Sequence, residues 1–497
     1  MIIAPCGIIC NRDADPVAIG AVKCYDMVIT GEMINMARAN RELMGTENLH
    51  TLIPRMAVPT VVAQLITTFY NVVDTYFVSQ LGTSATAAVG VNNSLERTIT
   101  MVATLIGAGA CSYISRLLGQ RRDGDANRAM STSVTAALAI GVLIALVGRL
   151  FLGPLVDFLG ATEDCRSYSI EYGSYVLYAA PFMIGSFIFN MCLRSEGSST
   201  YAMIGMGVGG VLNCFLDPVF IFGLSLGVKG ASIATAISKF ISFGILFLPY
   251  LRKKTAVKLS LRFVKIVWED VKEIISIGMA SFLRSALNVV ALVCLNRKAG
   301  SFSTEALAAL SVSTRVMMFP FSVMLGIGQG YQPVVGYNWG AKKFSRVRQS
   351  LQFTVRLGIV CGLVLGAALF AFARPLVGLF NPDDSELIYR YGVLAIRVES
   401  VFLFIHGSGA IINMFYAGVG LPKQSAILST ARQGYCFIPL VYLLPLLFGV
   451  EGLCVSQGVA DVLNGCILLP MYIKAVKLAK RKMEEFPEDG ASPESAT

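Results

Sequence analysis

Long apolar runs separated by short polar breaks recur from Leu52 to Ile473. A helix crossing a hydrocarbon core of about 30 Å needs about 20 mostly apolar residues. Runs of that length predict helical spans near 52–79, 85–115, 129–157, 167–193, 200–225 and 229–251. A basic connector follows, and a second set is predicted near 269–296, 304–338, 346–373, 385–417, 423–448 and 450–475. The pattern is that of an all-α integral membrane protein of twelve transmembrane helices, with the lipid bilayer as its main solvent.

The polar breaks carry a regular charge bias. Arg121, Arg122 and Arg128 follow the second span, Arg252, Lys253, Lys254, Lys258, Arg262 and Lys265 the sixth, and Lys342, Lys343, Arg346 and Arg348 the eighth. The opposite loops are poor in Lys and Arg, so the positive-inside rule places the basic loops and both termini in the cytoplasm of a multi-pass plasma (inner) membrane protein. The expected divisions are a cytoplasmic amino-terminal segment without fixed structure (1–48), a first lobe (49–251), a basic connector (252–268), a second lobe (269–478) and a cytoplasmic tail (479–497).

Shifting the first half by 221 positions lays Gly107, Gly109, Gly119, Arg121 and Arg122 on Gly328, Gly330, Gly340, Lys342 and Lys343 without a gap. A shift of 223 lays Asn190 and Gly197 on Asn413 and Gly420. Each half holds six spans and begins on the same side, so the two repeats are parallel and related by a pseudo-two-fold axis along the membrane normal. That arrangement suits alternating access about a site between the halves.

Composition narrows the function classes. Of the residues, 55% are hydrophobic and 14% charged, against roughly 45–50% and 25% in soluble chains. The formal charge of +10 is dispersed among apolar segments and builds no groove or stripe for nucleic acid. Twelve cysteines lie scattered without a Cys-x-x-Cys pair, and His50 and His406 are the only histidines, which leaves little room for metal or triad catalysis. No ATP-binding motif occurs: the Gly326, Gly328 and Gly330 run lacks the Gly-Lys-Ser/Thr ending and lies within a span, where it reads as a bend or close-packing surface. No catalytic residue and no cofactor is expected.

Ionisable residues inside a span usually face a cavity or a partner. Asp74 and Asp217 are such residues. Tyr70 and Asp74 stand four apart on one helix face, and Asn213 and Asp217 repeat that spacing. Pro218 removes the backbone bond that would reach the Cys214 carbonyl, adding an oxygen acceptor. Hard oxygens in that number can hold Na⁺, or a proton shared between two carboxylates. In the second half Arg284, Arg315, Arg356, Arg397 and Arg432 each fall roughly 11–15 residues inside a span, which at about 1.5 Å per residue is near the midplane. Only Glu399 opposes them in this reading, and they favour an anionic or zwitterionic group on the substrate.

The segments Pro59–Gly82 (PTVVAQLITTFYNVVDTYFVSQLG), Arg194–Gly197 (RSEG), Asn213–Gly223 (NCFLDPVFIFG) and Tyr416–Ser425 (YAGVGLPKQS) resemble the multidrug and toxin extrusion family, over about Glu42 to Lys482. The resemblance implies an ion-coupled antiporter, driven by Na⁺ or H⁺, that exports small organic amphipathic molecules such as drugs. It implies a coupling site at Asp74, Asn213, Asp217 and Thr235, the residues that would hold Na⁺, with Asn190 a further polar position of the same lobe. Gln64, Tyr70, Arg284, Arg315 and Gln329 are the candidates for the substrate cavity. One branch of the family carries acidic ligands in spans seven and ten; this chain has no acid inside span seven, and Glu399 in span ten stands two residues from Arg397. A flippase for lipid-linked saccharides from the wider superfamily is the alternative, and an integral membrane enzyme such as a prenyl transferase is disfavoured by the missing catalytic constellation.

Overall fold

The computed structural model describes residues 41–381 and 384–486. Helices α1 (Leu49–Ser79), α2 (Thr83–Gly119), α3 (Asp123–Leu150), α4 (Glu163–Ser195), α5 (Ser199–Pro218) and α6 (Gly227–Leu251) form the first set. The second set opens with α7 (Trp268–Gly300), α8 (Thr304–Gly340) and α9 (Phe344–Gly378). The tenth crossing, α10, is broken: Glu386–Val401 and Leu403–Val419 meet at 51°. A last helical stretch, Pro422–Glu485, is 64 residues long and turns at Gly449, whose φ of 55° and ψ of −138° suit only glycine. It therefore makes two crossings, α11 (422–448) and α12 (450–485), and the described residues hold twelve membrane-crossing helices in the two repeats that the apolar runs predict.

Breaks fall where sequence chemistry allows them. α3 ends at Phe151 and continues as a short helix, Leu152–Phe158, within the predicted third span. Immediately after Pro218, α5 widens into a π-turn over Val219–Gly223, and α11 does so over Ala431–Phe437. Such π-segments rotate the side chains that follow and recur at functional sites.

Most of the apolar clusters segregate by half, while a small one joins Leu49, Leu52, Ile53 and Met56 to Val334 across the seam. One large cluster draws its buried residues from between Val78 and Val257, while three others draw theirs from between Ala291 and Ala479. Between the sets, α1 packs on α8 and α2 on α7, the two contacts that a two-fold repeat exchanges. The symmetry reaches single atoms: a Cβ on Gly119 would strike the Tyr337 carbonyl, and one on Gly340 the Arg116 carbonyl. Gly340 lies 221 positions after Gly119, and Tyr337 lies 221 after Arg116, so each half supplies the glycine of one contact and the carbonyl of the other at the spacing of the repeated glycines.

Polar ties close the same end. Arg116 on α2 pairs with Glu273 on α7 at 2.7 Å, and Asp270 on α7 receives Arg128 at 2.8 Å and the Tyr113 hydroxyl at 2.7 Å. Residues 41–46, assigned by the sequence reading to an unstructured segment, form a helical turn across this seam. Arg41 pairs with Asp123 at 2.7 Å, while Asn338 and Lys343 donate to the carbonyls of Met44 and Gly45 at 2.9 and 2.7 Å. These backbone partners gave no signal in a side-chain pattern. The rest of that segment and the end of the tail lie outside the described residues.

Gly119→Leu is expected to hold the two sets apart at the basic-loop end. Labelling of a Gln64→Cys side chain by an impermeant maleimide from that side should then rise severalfold; unchanged labelling would show that the glycine contact does not seal it.

Candidate functional site

Asp74 on α1 and Asp217 on α5 are 8% and 0% exposed, and their carboxyls meet within the first set of helices. One turn before Asp217, the Asn213 amide donates to Asp217 Oδ1 at 3.1 Å and to Thr235 Oγ1 on α6 at 3.3 Å. Tyr172, fully buried on α4, closes the cluster against Thr235. Three buried oxygens here have no hydrogen-bond partner: Asp74 Oδ1, Asn213 Oδ1 and Asp217 Oδ2. Buried polar atoms are nearly always satisfied, so three orphan acceptors converging from two helices describe a place for a cation or for protons. The donors are hard oxygens, as Na⁺ requires, and two carboxyls in contact cannot both stay ionised without positive charge between them.

Asn190 does not join this cluster. Its amide donates to the Ala202 carbonyl at 2.9 Å, tying α4 to α5. The second half repeats the tie, with Asn413 accepting from Ser425 Oγ at 2.6 Å, and each residue of the second pair again lies 223 positions after its counterpart. Helix gluing accounts for both asparagines.

Between the two sets lies a cavity of about 580 Å³. Gln64, Tyr70, Arg284 and Gln329 line it; Arg315 is exposed and does not. Tyr70 stands one helical turn from Asp74 and accepts from Lys239 Nζ at 2.8 Å, so this Tyr–Lys pair separates the carboxylate cluster from the cavity. Glu96 stands in electrostatic range of both Lys239 and Asp74. At the cavity floor Gln329 Oε1 accepts from Arg194 Nη1 at 2.9 Å and Gln64 Nε2 at 3.3 Å, and Thr68 meets Ser322 at 2.7 Å. The RSEG motif is thereby accounted for: Arg194 reaches the other half, and Glu196 accepts from the Tyr250 hydroxyl at 3.0 Å and the Ala256 amide at 2.7 Å, pinning the connector.

Of the other deep arginines, Arg356 and Arg397 are exposed, the latter over the Phe370 ring at 5.1 Å. Arg432, carried on the π-segment of α11, points inward and is held by Asp461 of α12 at 2.6 and 3.2 Å, with the Phe321 ring 4.6 Å from its guanidinium. Glu399 lines the same wall. Asp461 thus corrects the reading that Glu399 alone opposes the arginines. Asp461 and Lys239 were both available to the rule that singled out Asp74, being lone ionisable residues inside apolar runs, whereas Glu96 stands beside Arg97.

A model of the family MatE matches residues 59–219 and 280–443, well over half of the chain and one segment in each repeat. The chain belongs to the MatE family of membrane transporters. Among its relatives, the multidrug export protein MepA of Staphylococcus saprophyticus is 28% identical over 418 residues, covering 84% of this chain and 91% of that protein. MepA of Staphylococcus aureus is 28% identical over 419 residues with the same coverage. In structure, a MATE crystallised in complex with MaL6 superposes with a TM-score of 0.84 at 24% identity, covering 91% of this chain and all of that one. An outward-facing multidrug resistance MATE transporter of the MOP superfamily does so with a TM-score of 0.84 at 24% identity. These structures confirm the fold, and membership makes the chain a multi-pass transporter and not an enzyme.

Breaking a buried ion pair from one side strands a charge, at a cost on the order of 3–5 kcal/mol. Asp461→Asn in this MatE protein is therefore expected to lower the apparent unfolding temperature in detergent sharply, and Arg432→Gln added to it to restore much of the loss. Equal stability of Asp461→Asn and the parent would show that the pair is not structural.

Proposed function

We propose that this MatE transporter is an ion-coupled antiporter that exports small organic, amphipathic molecules, drugs among them, by alternating access of the cavity between its two six-helix lobes. The observation that carries the coupling site is the set of three orphan oxygens on Asp74, Asn213 and Asp217, buried one helical turn behind the cavity wall. Na⁺ or H⁺ bound among them, with Thr235 completing the set, neutralises the carboxyl pair. The multidrug export named for the MepA relatives supports the substrate class.

The charge bias of the loops makes the basic-loop end cytoplasmic. Among the described residues, the hydrogen bonds and ion pairs that join the two sets lie between the level of Thr68–Ser322 and those loops, so the conformation is shut toward the cytoplasm. Helix α1 connects ion to cavity: it carries Asp74 in the cluster, Tyr70 and Gln64 in the cavity lining, and Thr68 and Gln64 in the ties to α8. A ligand shifts an equilibrium only by its preference between the states, and one helix that feels the ion, the cargo and the seal gives each of them such a preference.

The test is export from proteoliposomes driven separately by a Na⁺ jump and a pH jump. Asp74→Asn and Asp217→Asn should each slow driven export by roughly tenfold or more, the effect of losing about 1.4 kcal/mol of coupling, while leaving the fold intact. Driven export at the parent rate in both variants would refute the coupling site.

A further inference from the structure

The cavity carries a charge for which the ion-coupling site has no use. Arg284 lies on α7 and lines the cavity from the second set of helices. Among the described residues it has neither an ion pair nor a hydrogen-bond partner. The other cations of the lining are compensated: Arg432 is chelated by Asp461, and Lys239 rests on Tyr70 with Glu96 and Asp74 in range. Arg284 is the exception, a guanidinium some 16 residues along α7, which at about 1.5 Å per residue is mid-membrane. An unpaired charge at that depth is costly and in general marks a substrate path.

The surroundings give the ligand its shape. Asn288, one turn beyond Arg284, lines the same wall, and further along α7 the lining turns apolar at Ala291, Leu292 and Leu295. Met317 and Met318 face the cavity from α8, and thioether side chains adapt to varied apolar shapes. One end of this wall therefore offers a planar five-donor cation and an amide, and the other an adaptable hydrocarbon surface. A guanidinium binds carboxylate and related oxyanions through two parallel hydrogen bonds, and does so more strongly where water is scarce.

We propose that Arg284 binds the acid group of an amphipathic organic substrate, a carboxylate or similar oxyanion, whose apolar body lies along α7 and α8. The inference rests on the reading of the cavity as the transport path and adds the substrate class, an organic acid or zwitterion. Arg284 is then a specificity-determining residue, and a cationic drug without an acid group is the poorer ligand.

A pair of fluorescent probes on one rhodamine frame, one with its carboxylate free and one with that carboxylate as the methyl ester, isolates the charge. Their binding to the full chain in detergent, read by anisotropy, needs no gradient and is independent of ion coupling. The parent should bind the free acid about tenfold tighter than the ester, the scale of one charge-assisted pair. Arg284→Gln should erase that preference by weakening the acid alone, and Arg284→Lys should recover part of it. A free acid bound no better than its ester by the parent overturns the proposal, as does an Arg284→Gln variant that weakens both probes equally, since a structural role would do that. A preserved preference in a protein that shows no gradient-driven export would support the acid site while removing the antiport reading.

Discussion

Charge placed where lipid excludes water is the constraint from which this molecule is built. A carboxylate inside a span must find a cation, a proton or strong donors, and the first six helices bring two carboxyls into contact beside one amide, Asn213, which divides its donors between Asp217 and Thr235. The packing around them is dense: Tyr172 is fully buried and Thr235 nearly so. Lys239 lies in electrostatic range of Asp74 but is held on the Tyr70 hydroxyl, so in the proposed coupling site an entering cation or proton neutralises the pair and leaves again as the site cycles. The rest of the architecture, a cavity one turn away and a glycine-lined seal below it, gives that arrival and departure a mechanical consequence.

Duplication supplied the frame and divergence the chemistry. The close contacts at Gly119 and Gly340 survive in both halves because any side chain there would push two helices apart. The ionisable residues obey no such symmetry. Shifted by 221, Asp74 falls on Leu295; shifted by 223, Asn213 and Asp217 fall on Cys436 and Leu440. In the opposite direction, Arg284 and Arg432 have Ala63 and Gly209 as their counterparts. The first lobe thus holds the carboxyl pair, and the second holds Arg284 with the Arg432–Asp461 pair and Glu399 on its wall, an asymmetry across one cavity that a symmetric transporter could not have.

The number of spans, their parallel duplication and the Pro218 break were all legible in the chain, because each depends on a property that sequence carries directly: apolar length, spacing and the missing proline N–H. The break at Gly449 coincided with a predicted loop, whereas the one at Phe402 had no marker, since neither proline nor glycine stands there. Depth was legible for the arginines, but direction was not. Successive residues on a helix differ by about 100°, and helices that are apolar nearly all round offer no polar stripe from which to tell inside from outside. Hence Arg284 and Arg432 face inward while Arg315, Arg356 and Arg397, at similar depth, are exposed. Asn190 illustrates the same limit: its position in the repeat was correct, but the amide turns to a backbone carbonyl on α5 that no side-chain pattern announces.

The sign of the cargo decides which kind of coupling is available. A cationic cargo could exchange with the ion by direct competition for Asp74 and Asp217, since both would seek the same carboxyls. A cargo held through its acid group by Arg284 cannot compete in that way: its charge is opposite to that of the ion and the two would attract, which favours joint occupancy over exchange. Antiport then requires that the two ligands disagree about conformation and not about a shared site. Helix α1 is the element placed to enforce such a disagreement, because Asp74 lies at one level of it and the Gln64–Gln329 and Thr68–Ser322 ties lie below. Pro54 and Pro59 weaken the backbone ladder of the same helix nearer the seal. Neutralising the carboxyl pair changes what the upper part of α1 must contact; its lower part, loosened by two prolines, is where that change meets the seam between the lobes.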